Sequence, residues 1–99
     1  MEIIITDHAK RRVKERCGIK KSSADRYAKL AFSRGNIRKN YTGAIRKWLD
    51  KLYTPDKDGD VYVFGETAFV FAENKNENKA ILVTAIPVPS NLARLAKLN

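Results

Sequence analysis

The hydrophobic pattern of this 99-residue chain changes its period near residue 53, and this change constrains the fold more than any other feature. Before that point, apolar residues recur every three or four positions, which is typical of amphipathic helices. After it, three runs rich in Val, Ile, Phe and Tyr are separated by short polar stretches, which is typical of strands joined by turns. The sequence therefore predicts helices followed by an antiparallel sheet.

Local start and stop signals bound the helices in the first half of the chain. Thr6 or Asp7 is suited to cap the first helix, and Gly18 marks its end. Ser22 begins a capping-box pattern for the second helix, and Thr42 is suited to cap a third. The predicted helices cover residues 7–17, 23–34 and 43–52.

The second half is predicted to form a β-meander at residues 61–65, 68–73 and 79–86. The β-branched run from Glu2 to Ile5 is predicted to join the same sheet. Pro87 and Pro89 end the last strand, and Ser90 is suited to cap a short helix. The expected fold class is α+β, with an N-terminal strand and two to three basic helices packed on one face of the antiparallel meander. One domain is expected to cover residues 1–99, and the nearly continuous apolar runs of the strands indicate that both sheet faces are partly covered.

Positive charge is concentrated in the first half of the chain. Residues 1–52 carry fifteen Lys and Arg against five Asp and Glu, a net charge of +10, whereas residues 53–99 carry five against six, a net charge of −1. A focused positive field attracts polyanions, so nucleic acid is the first candidate partner. The alternative is a solvated surface that keeps a small protein soluble.

Cysteine usage and hydropathy indicate the compartment. A single cysteine, Cys17, cannot form an internal disulfide and fits a reducing environment. No apolar run approaches the roughly 18 residues of a membrane span, and the start MEIIITDH lacks the order of a signal peptide. We therefore expect a cytoplasmic protein with no membrane partner.

The chain's single histidine, His8, precedes Arg12 by one helical turn and Arg16 by two. Residues spaced by four share one flank of a helix, here the flank beside the apolar stripe that faces the core. The positive end of the helix dipole favours a neutral imidazole, which can act as a base. Two guanidinium groups on this flank are suited to hold a phosphate and to stabilise charge that develops on it. The alternative is a surface histidine beside arginines whose stems only shelter the apolar stripe.

The pattern I-T-x-H-A-x-x-R-x-x-x-R, Ile5 to Arg16, followed by Gly18, resembles the opening of a family of small uncharacterised bacterial and phage proteins. That family is similar in layout to the RelE-type ribonuclease toxins, which place helices before an antiparallel sheet and cut RNA with basic and hydroxyl-bearing side chains. The resemblance implies a RelE-like fold, RNA rather than DNA as the partner, and a site role for Thr84 in the last strand. Two departures from the family pattern are Cys17 before the glycine and a longer middle segment around Trp48.

Metal-independent RNA cleavage needs a base for the 2′-hydroxyl, a stabiliser for the phosphate and an acid for the leaving oxygen. His8 would be the base or the acid, and Arg12 and Arg16 would stabilise charge. Thr84 would donate a hydrogen bond to a phosphate oxygen, the alternative being a buried hydroxyl bonded to backbone. No cofactor is expected.

A second set of residues is predicted to contact nucleic acid more diffusely: Arg11, Lys20, Lys21, Arg34, Arg38, Lys39, Arg46, Lys47, Tyr41 and Tyr62. The two tyrosines are candidates for a second proton-transfer group or for stacking platforms for bases, although tyrosines of this kind mostly serve packing. Dispersed charge equally suits a non-catalytic phage or mobile-element protein that binds nucleic acid or inhibits a host nucleic-acid enzyme. A host or antitoxin protein therefore remains an alternative partner, and a toxin-like fold that has lost catalysis remains a third reading.

The stretch DKDGD, Asp56 to Asp60, matches the first five positions of an EF-hand calcium loop. The match then fails, because Val61 stands where the turn glycine belongs and Thr67 stands where the bidentate glutamate belongs. We therefore expect a polar turn before the meander and no metal site.

Overall fold

The computed structural model describes residues 1–53 and 58–97. Its elements, in chain order, are β1 (Glu2–Ile5), α1 (Asp7–Cys17), α2 (Lys21–Arg34), β2 (Asn36–Ile37), a 3₁₀ turn (Arg38–Asn40), α3 (Gly43–Leu52), β3 (Asp60–Phe64), β4 (Thr67–Asn74), β5 (Lys79–Pro87) and a closing 3₁₀ helix (Ala93–Ala96). These elements form the α+β class that the sequence predicts. No helix within the described residues is both long and apolar enough to cross a membrane.

The five strands form one mixed sheet in the order β1-β5-β4-β3-β2. Strands β3, β4 and β5 are the predicted antiparallel meander, with Val61 opposite Val70 between the first two. Strand β1 joins the sheet as predicted and pairs in parallel with the first half of β5, starting with Glu2 opposite Lys79. The short edge strand β2 lies between the predicted second and third helices, where the sequence predicts neither helix nor strand.

Helix α1 has the predicted bounds because its end signals are local. Thr6 Oγ1 accepts a hydrogen bond from the Ala9 backbone N–H at 3.1 Å, which caps the helix. Gly18 ends it with φ of 69°, a left-handed conformation that glycine adopts without a steric penalty. Helix α2 instead begins at Lys21 without a side-chain cap, so the capping box expected at Ser22 does not form.

Helices cover both faces of the sheet, and strand β4 shows why. Phe69 and Phe71 face a core formed with α1 and α2, whereas Ala68 and Val70 face a second core formed with α3 and the closing 3₁₀ helix. Successive residues of a strand point to opposite faces, so a continuous apolar strand needs a cover on each side. The expectation that the basic helices share one face is therefore wrong for α3, which packs on the opposite face.

A buried arginine fastens the 3₁₀ turn to α3 and β3. Arg38 is only 6% exposed, and its Nε donates to Asp60 Oδ1 at 2.8 Å while its Nη1 donates to Asp50 Oδ1 at 2.6 Å. Its guanidinium carbon lies 3.9 Å from the ring centroid of Tyr53, a cation–π contact. The Val61 backbone N–H also donates to Asp60 Oδ1, at 2.7 Å. The buried charge of Arg38 is thus balanced by two carboxylates.

Asp50 is shared between two arginines. Arg46 Nε donates to Asp50 Oδ1 at 3.0 Å, and Arg46 Nη1 donates to the Tyr41 carbonyl at 3.2 Å. Hydrogen bonds from Arg38 and then Arg46 lower the pKa of Asp50 below its usual value. Burial by itself would lower the pKa of Arg38, but hydrogen bonds to Asp60 and Asp50 outweigh it and the net pKa is raised. Both pKa shifts favour the charged pair.

Replacement of Arg38 tests the structural role of this network. Arg38→Met should lower the free energy of unfolding by about 3–5 kcal/mol, because it leaves the buried carboxylate of Asp60 without its partner. Urea denaturation followed by the fluorescence of Trp48 measures the change. The matched control is Lys39→Met, an exposed neighbour whose replacement should cost less than about 0.5 kcal/mol. Equal small effects for both variants would contradict the assigned role of Arg38.

The contribution of Asp50 to stability should depend on pH. Because the pKa of Asp50 is lower in the folded chain than in the unfolded chain, its contribution is complete above the ordinary aspartate pKa of about 3.9. That contribution is lost as the pH falls through the folded value. The difference in unfolding free energy between the wild type and Asp50→Asn, measured by urea denaturation, should therefore shrink below about pH 4. The exposed residue Glu15 supplies the control variant Glu15→Gln, and an Asp50→Asn difference that stays constant into acid would refute the prediction.

Candidate functional site

Helix α1 carries a row of three side chains, His8, Arg12 and Arg16, along the border between core and solvent. His8 lies in its first turn, with Arg12 one turn further on and Arg16 two turns further on. His8 and Arg16 are exposed and Arg12 is half-buried. The neighbouring positions Ala9 and Val13 are fully buried in the core beneath α1. The flank is therefore held in place by packing and still reaches solvent.

The far end of this row contacts Thr84 of β5. Arg16 Nη1 donates a hydrogen bond to Thr84 Oγ1 at 3.1 Å, although the two residues are 68 positions apart. Thr84 is 9% exposed and lies at a β-bulge. Val70 of β4 pairs with Thr84 and the next residue, Phe71, pairs with Leu82, so the pairing skips Val83. Bulges change the direction of side chains locally. The structure thus brings together two residues that were predicted to share one site.

This pair retains capacity to bind an anion. A guanidinium has five N–H donors, and the hydrogen bond to Thr84 uses only one of those of Arg16. A hydroxyl that accepts a hydrogen bond keeps its own hydrogen free to donate. A phosphate oxygen approaching the pair would therefore find charged donors from Arg16 and a neutral donor from Thr84, the combination that gives strong hydrogen bonds to anions.

The members of the row are separated along the helix axis. At 1.5 Å of rise per residue, His8 and Arg16 are separated by about 12 Å along the helix axis, and Arg12 lies about 6 Å from each. The hydrogen bond to Thr84 already engages Arg16, and Arg12 is the arginine nearer to His8 along the helix axis. Along the helix axis the row therefore divides into His8 with Arg12 and Arg16 with Thr84.

The remaining predicted cations divide between the two sides of the sheet. Six of them are exposed: Arg11, Lys20, Lys21, Arg34, Lys39 and Lys47. The first four belong to α1, α2 and the link between them, on the same side of the sheet as the row. Lys39 and Lys47 belong to the 3₁₀ turn and α3, which pack on the other side. The side with α1 and α2 therefore carries most of the predicted surface charge.

Three residues predicted to bind nucleic acid make internal contacts. Arg38 is buried in the ion-pair network, and Arg46 is half-buried against Asp50. Tyr41 is 1% exposed, its hydroxyl donates to the Ala96 carbonyl at 2.6 Å, and burial raises the pKa of that hydroxyl. A buried ring offers no face to a base, and the buried guanidinium of Arg38 is committed to two carboxylates, so Tyr41 and Arg38 have internal roles in place of the predicted contacts. The side chain of Arg46 is one-third exposed, and its contact with nucleic acid stays a prediction.

Tyr62 belongs to an aromatic cluster that the sequence did not reveal. Its ring centroid lies 4.9 Å from that of Phe32 and 5.6 Å from that of Phe71, and the two phenylalanines are 5.2 Å apart. Burial, then the negative charge of Glu73, raises the pKa of the Tyr62 hydroxyl. Phe32 and Tyr62 are both half-buried, so this cluster presents part of its aromatic surface outward. Phe32 belongs neither to the predicted row on α1 nor to the predicted set of dispersed nucleic-acid contacts, so no pattern in the sequence indicated a role for it.

The stretch that resembles a calcium loop lies partly outside the described residues, which omit 54–57. Its last member, Asp60, is 7% exposed and bound to Arg38. Across residues 1–53 and 58–97 no group of three or more His, Cys, Asp or Glu side chains is arranged to hold a metal ion.

Comparisons of this chain with protein-family models, with curated proteins and with solved structures found no match. The resemblance to the bacterial and phage family and to RelE-type toxins therefore stays a prediction from the motif.

Proposed function

We propose that this protein binds RNA through the flank of α1 and cuts it without a metal, as a RelE-like endoribonuclease. The observation that carries the proposal is the hydrogen bond between Arg16 and Thr84. It joins the motif of the first helix to the hydroxyl of the last strand, which supports the proposal that the two parts implied by the resemblance belong to one site. The net charge of +10 in residues 1–52 supplies the attraction for a polyanion.

In the proposed reaction His8 and Arg12 act on the scissile phosphate. His8 accepts the proton of the 2′-hydroxyl as its oxygen attacks the adjacent phosphorus, and the bond to the 5′-oxygen breaks as that oxygen takes a proton from water. The products are a 2′,3′-cyclic phosphate and a 5′-hydroxyl end. Arg12, one helical turn away, stabilises the negative charge on the non-bridging oxygens.

Arg16 and Thr84 bind the neighbouring phosphate in this proposal. Their position about 12 Å along the helix from His8 lets them fix the register of the RNA strand without taking part in proton transfer. A strand held at two points presents its 2′-hydroxyl to His8 in a defined orientation, and such positioning lowers the entropic part of the barrier.

A second candidate function is nucleic-acid binding without catalysis, as in a phage or mobile-element protein that occupies a nucleic acid or inhibits a host nucleic-acid enzyme. One observation favours it: within the described part of the chain, no hydrogen bond orients the imidazole of His8. Catalytic bases are usually held by a third group. The exposed cations on the opposite side of the sheet, Lys39 and Lys47, also suit a binding function that needs no cleavage.

Binding should depend steeply on salt if the row contacts phosphates. Fluorescence anisotropy with a labelled single-stranded RNA should give a log–log slope of about −0.7 for each phosphate neutralised. Arg16→Gln should reduce the magnitude of this slope by about 0.7, because it removes one such contact. The control Lys75→Gln changes an exposed charge in the turn between β4 and β5 and should leave the slope unchanged. Absence of binding at low salt, or a flat salt dependence, would exclude the nucleic-acid interface.

Cleavage should survive EDTA, leave 2′,3′-cyclic phosphate ends and spare DNA, because the mechanism uses the 2′-hydroxyl and no metal. The cleavage assay uses free single-stranded RNA and ribosome-bound message as substrates. His8→Ala should lower the rate about 10²–10⁴-fold with binding nearly intact, since the imidazole transfers protons rather than holding the strand. Arg12→Ala should weaken both binding and rate, because its contact with the phosphate exists before and during the reaction.

The control for both variants is Lys14→Ala, an exposed residue of α1 outside the row, which should behave as the wild type. A wild type that binds RNA and cuts neither substrate would favour the non-catalytic function. Full activity in His8→Ala would show that the reaction takes place elsewhere on the protein.

A further inference from the structure

A cavity of about 590 Å³ opens between α2 and the first residues of β1. Its walls are Met1, Glu2, Ile3, Lys29, Phe32 and Ser33. Glu2 begins β1 and Thr6 follows its last residue, so the cavity and the start of α1 are separated by about 13 Å along the strand. The cavity is therefore distinct from the row on α1.

The apolar lining of the cavity includes the aromatic ring of Phe32 beside Met1 and Ile3. Phe32 is half-buried, and its ring is held between Tyr62 at 4.9 Å and Phe71 at 5.2 Å between centroids. Ile3 packs against the same core and flanks the ring. An aromatic face that is held in place by its neighbours is a platform on which a nucleobase stacks.

The charged side chains that line the cavity are those of Lys29 and Glu2. Lys29 and Glu2 are exposed, and neither forms a salt bridge with another residue in the described ranges. Ser33 Oγ donates to the Lys29 carbonyl at 2.8 Å, so its hydrogen is already used. The cavity thus offers an ammonium group to an anion and a carboxylate to N–H donors, beside an aromatic face.

We propose that this cavity binds a nucleotide and prefers guanine. The base stacks on Phe32, the phosphate approaches Lys29, and the N–H groups of the base donate to Glu2. Guanine presents two adjacent donors, N1–H and the 2-amino group, which match the two oxygens of a carboxylate. Adenine and cytosine present one amino group beside an acceptor, and uracil presents one N–H between two carbonyl oxygens, which a carboxylate repels.

The cavity lies in the same helical layer as the row, because α1 and α2 pack on one face of the sheet and Lys10 Nζ lies 3.8 Å from Asp25 Oδ2 between them. As a base-reading subsite on RNA, the inference rests on the proposed function. The binding chemistry of the cavity does not rest on it, since a free guanine nucleotide carries the same base face, N–H edge and phosphate. The experiments below distinguish a free nucleotide from RNA as the ligand.

The test titrates the full chain with the 5′-monophosphates of guanosine, adenosine, cytidine and uridine, followed by two-dimensional NMR. Amide shifts should centre on Glu2, Lys29 and Phe32, with guanosine monophosphate at least about tenfold tighter than uridine monophosphate. Glu2→Gln should remove this preference, because an amide no longer accepts through both oxygens. Lys29→Gln should weaken guanosine monophosphate and leave guanosine unaffected, because only the nucleotide carries a phosphate.

Phe32→Leu should weaken all four nucleotides, and its fold is checked by near-ultraviolet circular dichroism because Phe32 also packs in the core. The exposed variant Glu2→Gln does not depend on that check, so the base preference stays testable if Phe32→Leu unfolds. Lys75→Gln is the control and should bind every nucleotide as the wild type does. Equal affinity for guanosine and uridine monophosphates, or shifts that avoid the cavity, would overturn the inference.

An RNA arm separates this inference from the proposed function. Short oligonucleotides that differ only in one guanine or uracil are compared in the anisotropy assay, with and without Arg16→Gln. Nucleotides that bind in the expected order while no RNA binds would support the cavity as a site for free nucleotides and reject the proposed function. RNA that binds through Arg16 with no shift at the cavity and no base preference would reject the cavity and leave the proposed function standing.

Discussion

Burial of strand β4 on both faces is the constraint on which the rest of the structure depends. β4 lies between β3 and β5, and its alternating side chains, Phe69 and Phe71 on one face and Ala68 and Val70 on the other, each need an apolar cover. Helices α1 and α2 cover one face, and α3 with the closing 3₁₀ helix covers the other. The same packing presses Ala9 and Val13 into the first core, which fixes the rotation of α1 and so determines that its His8 flank meets solvent. The candidate site is therefore a consequence of how the sheet is covered.

Sequence reasoning succeeded where a structure depends on neighbours along the chain and failed where it depends on distant partners. Helix α1 was predicted to the residue because Thr6 and Gly18 are local signals. The 3₁₀ turn and β2 were missed because they are held from a distance, by pairing with β3 and by the bonds from Arg38 to Asp50 and Asp60. No periodicity reveals that an arginine in a polar stretch becomes buried.

The same distinction separates the parts of the candidate site. The row on α1 follows from spacing alone, since residues four apart share a helix flank. The pairing of Arg16 with Thr84 spans 68 positions, and only the resemblance to a known layout placed the two together. The cavity beside Phe32 had no signal in the sequence, because it forms where β1 and α2 meet and its lining residues belong to no shared pattern.

The distribution of charge is consistent with the two proposed anion-directed sites on one basic chain. Arg38 and Arg46 are neutralised by Asp50 and Asp60 on the α3 side, so they add little to the field at the surface. The arginines of α1 have no such partners among the described residues, and the local potential there stays positive. In the cavity between β1 and α2, the carboxylate of Glu2 is unfavourable for a phosphate but suited to the N–H edge of a base. Under the proposed function, a surface that attracts the RNA backbone over α1 and accepts hydrogen bonds beside Phe32 would separate affinity from base preference, as phosphate and base contacts do in nucleic-acid recognition.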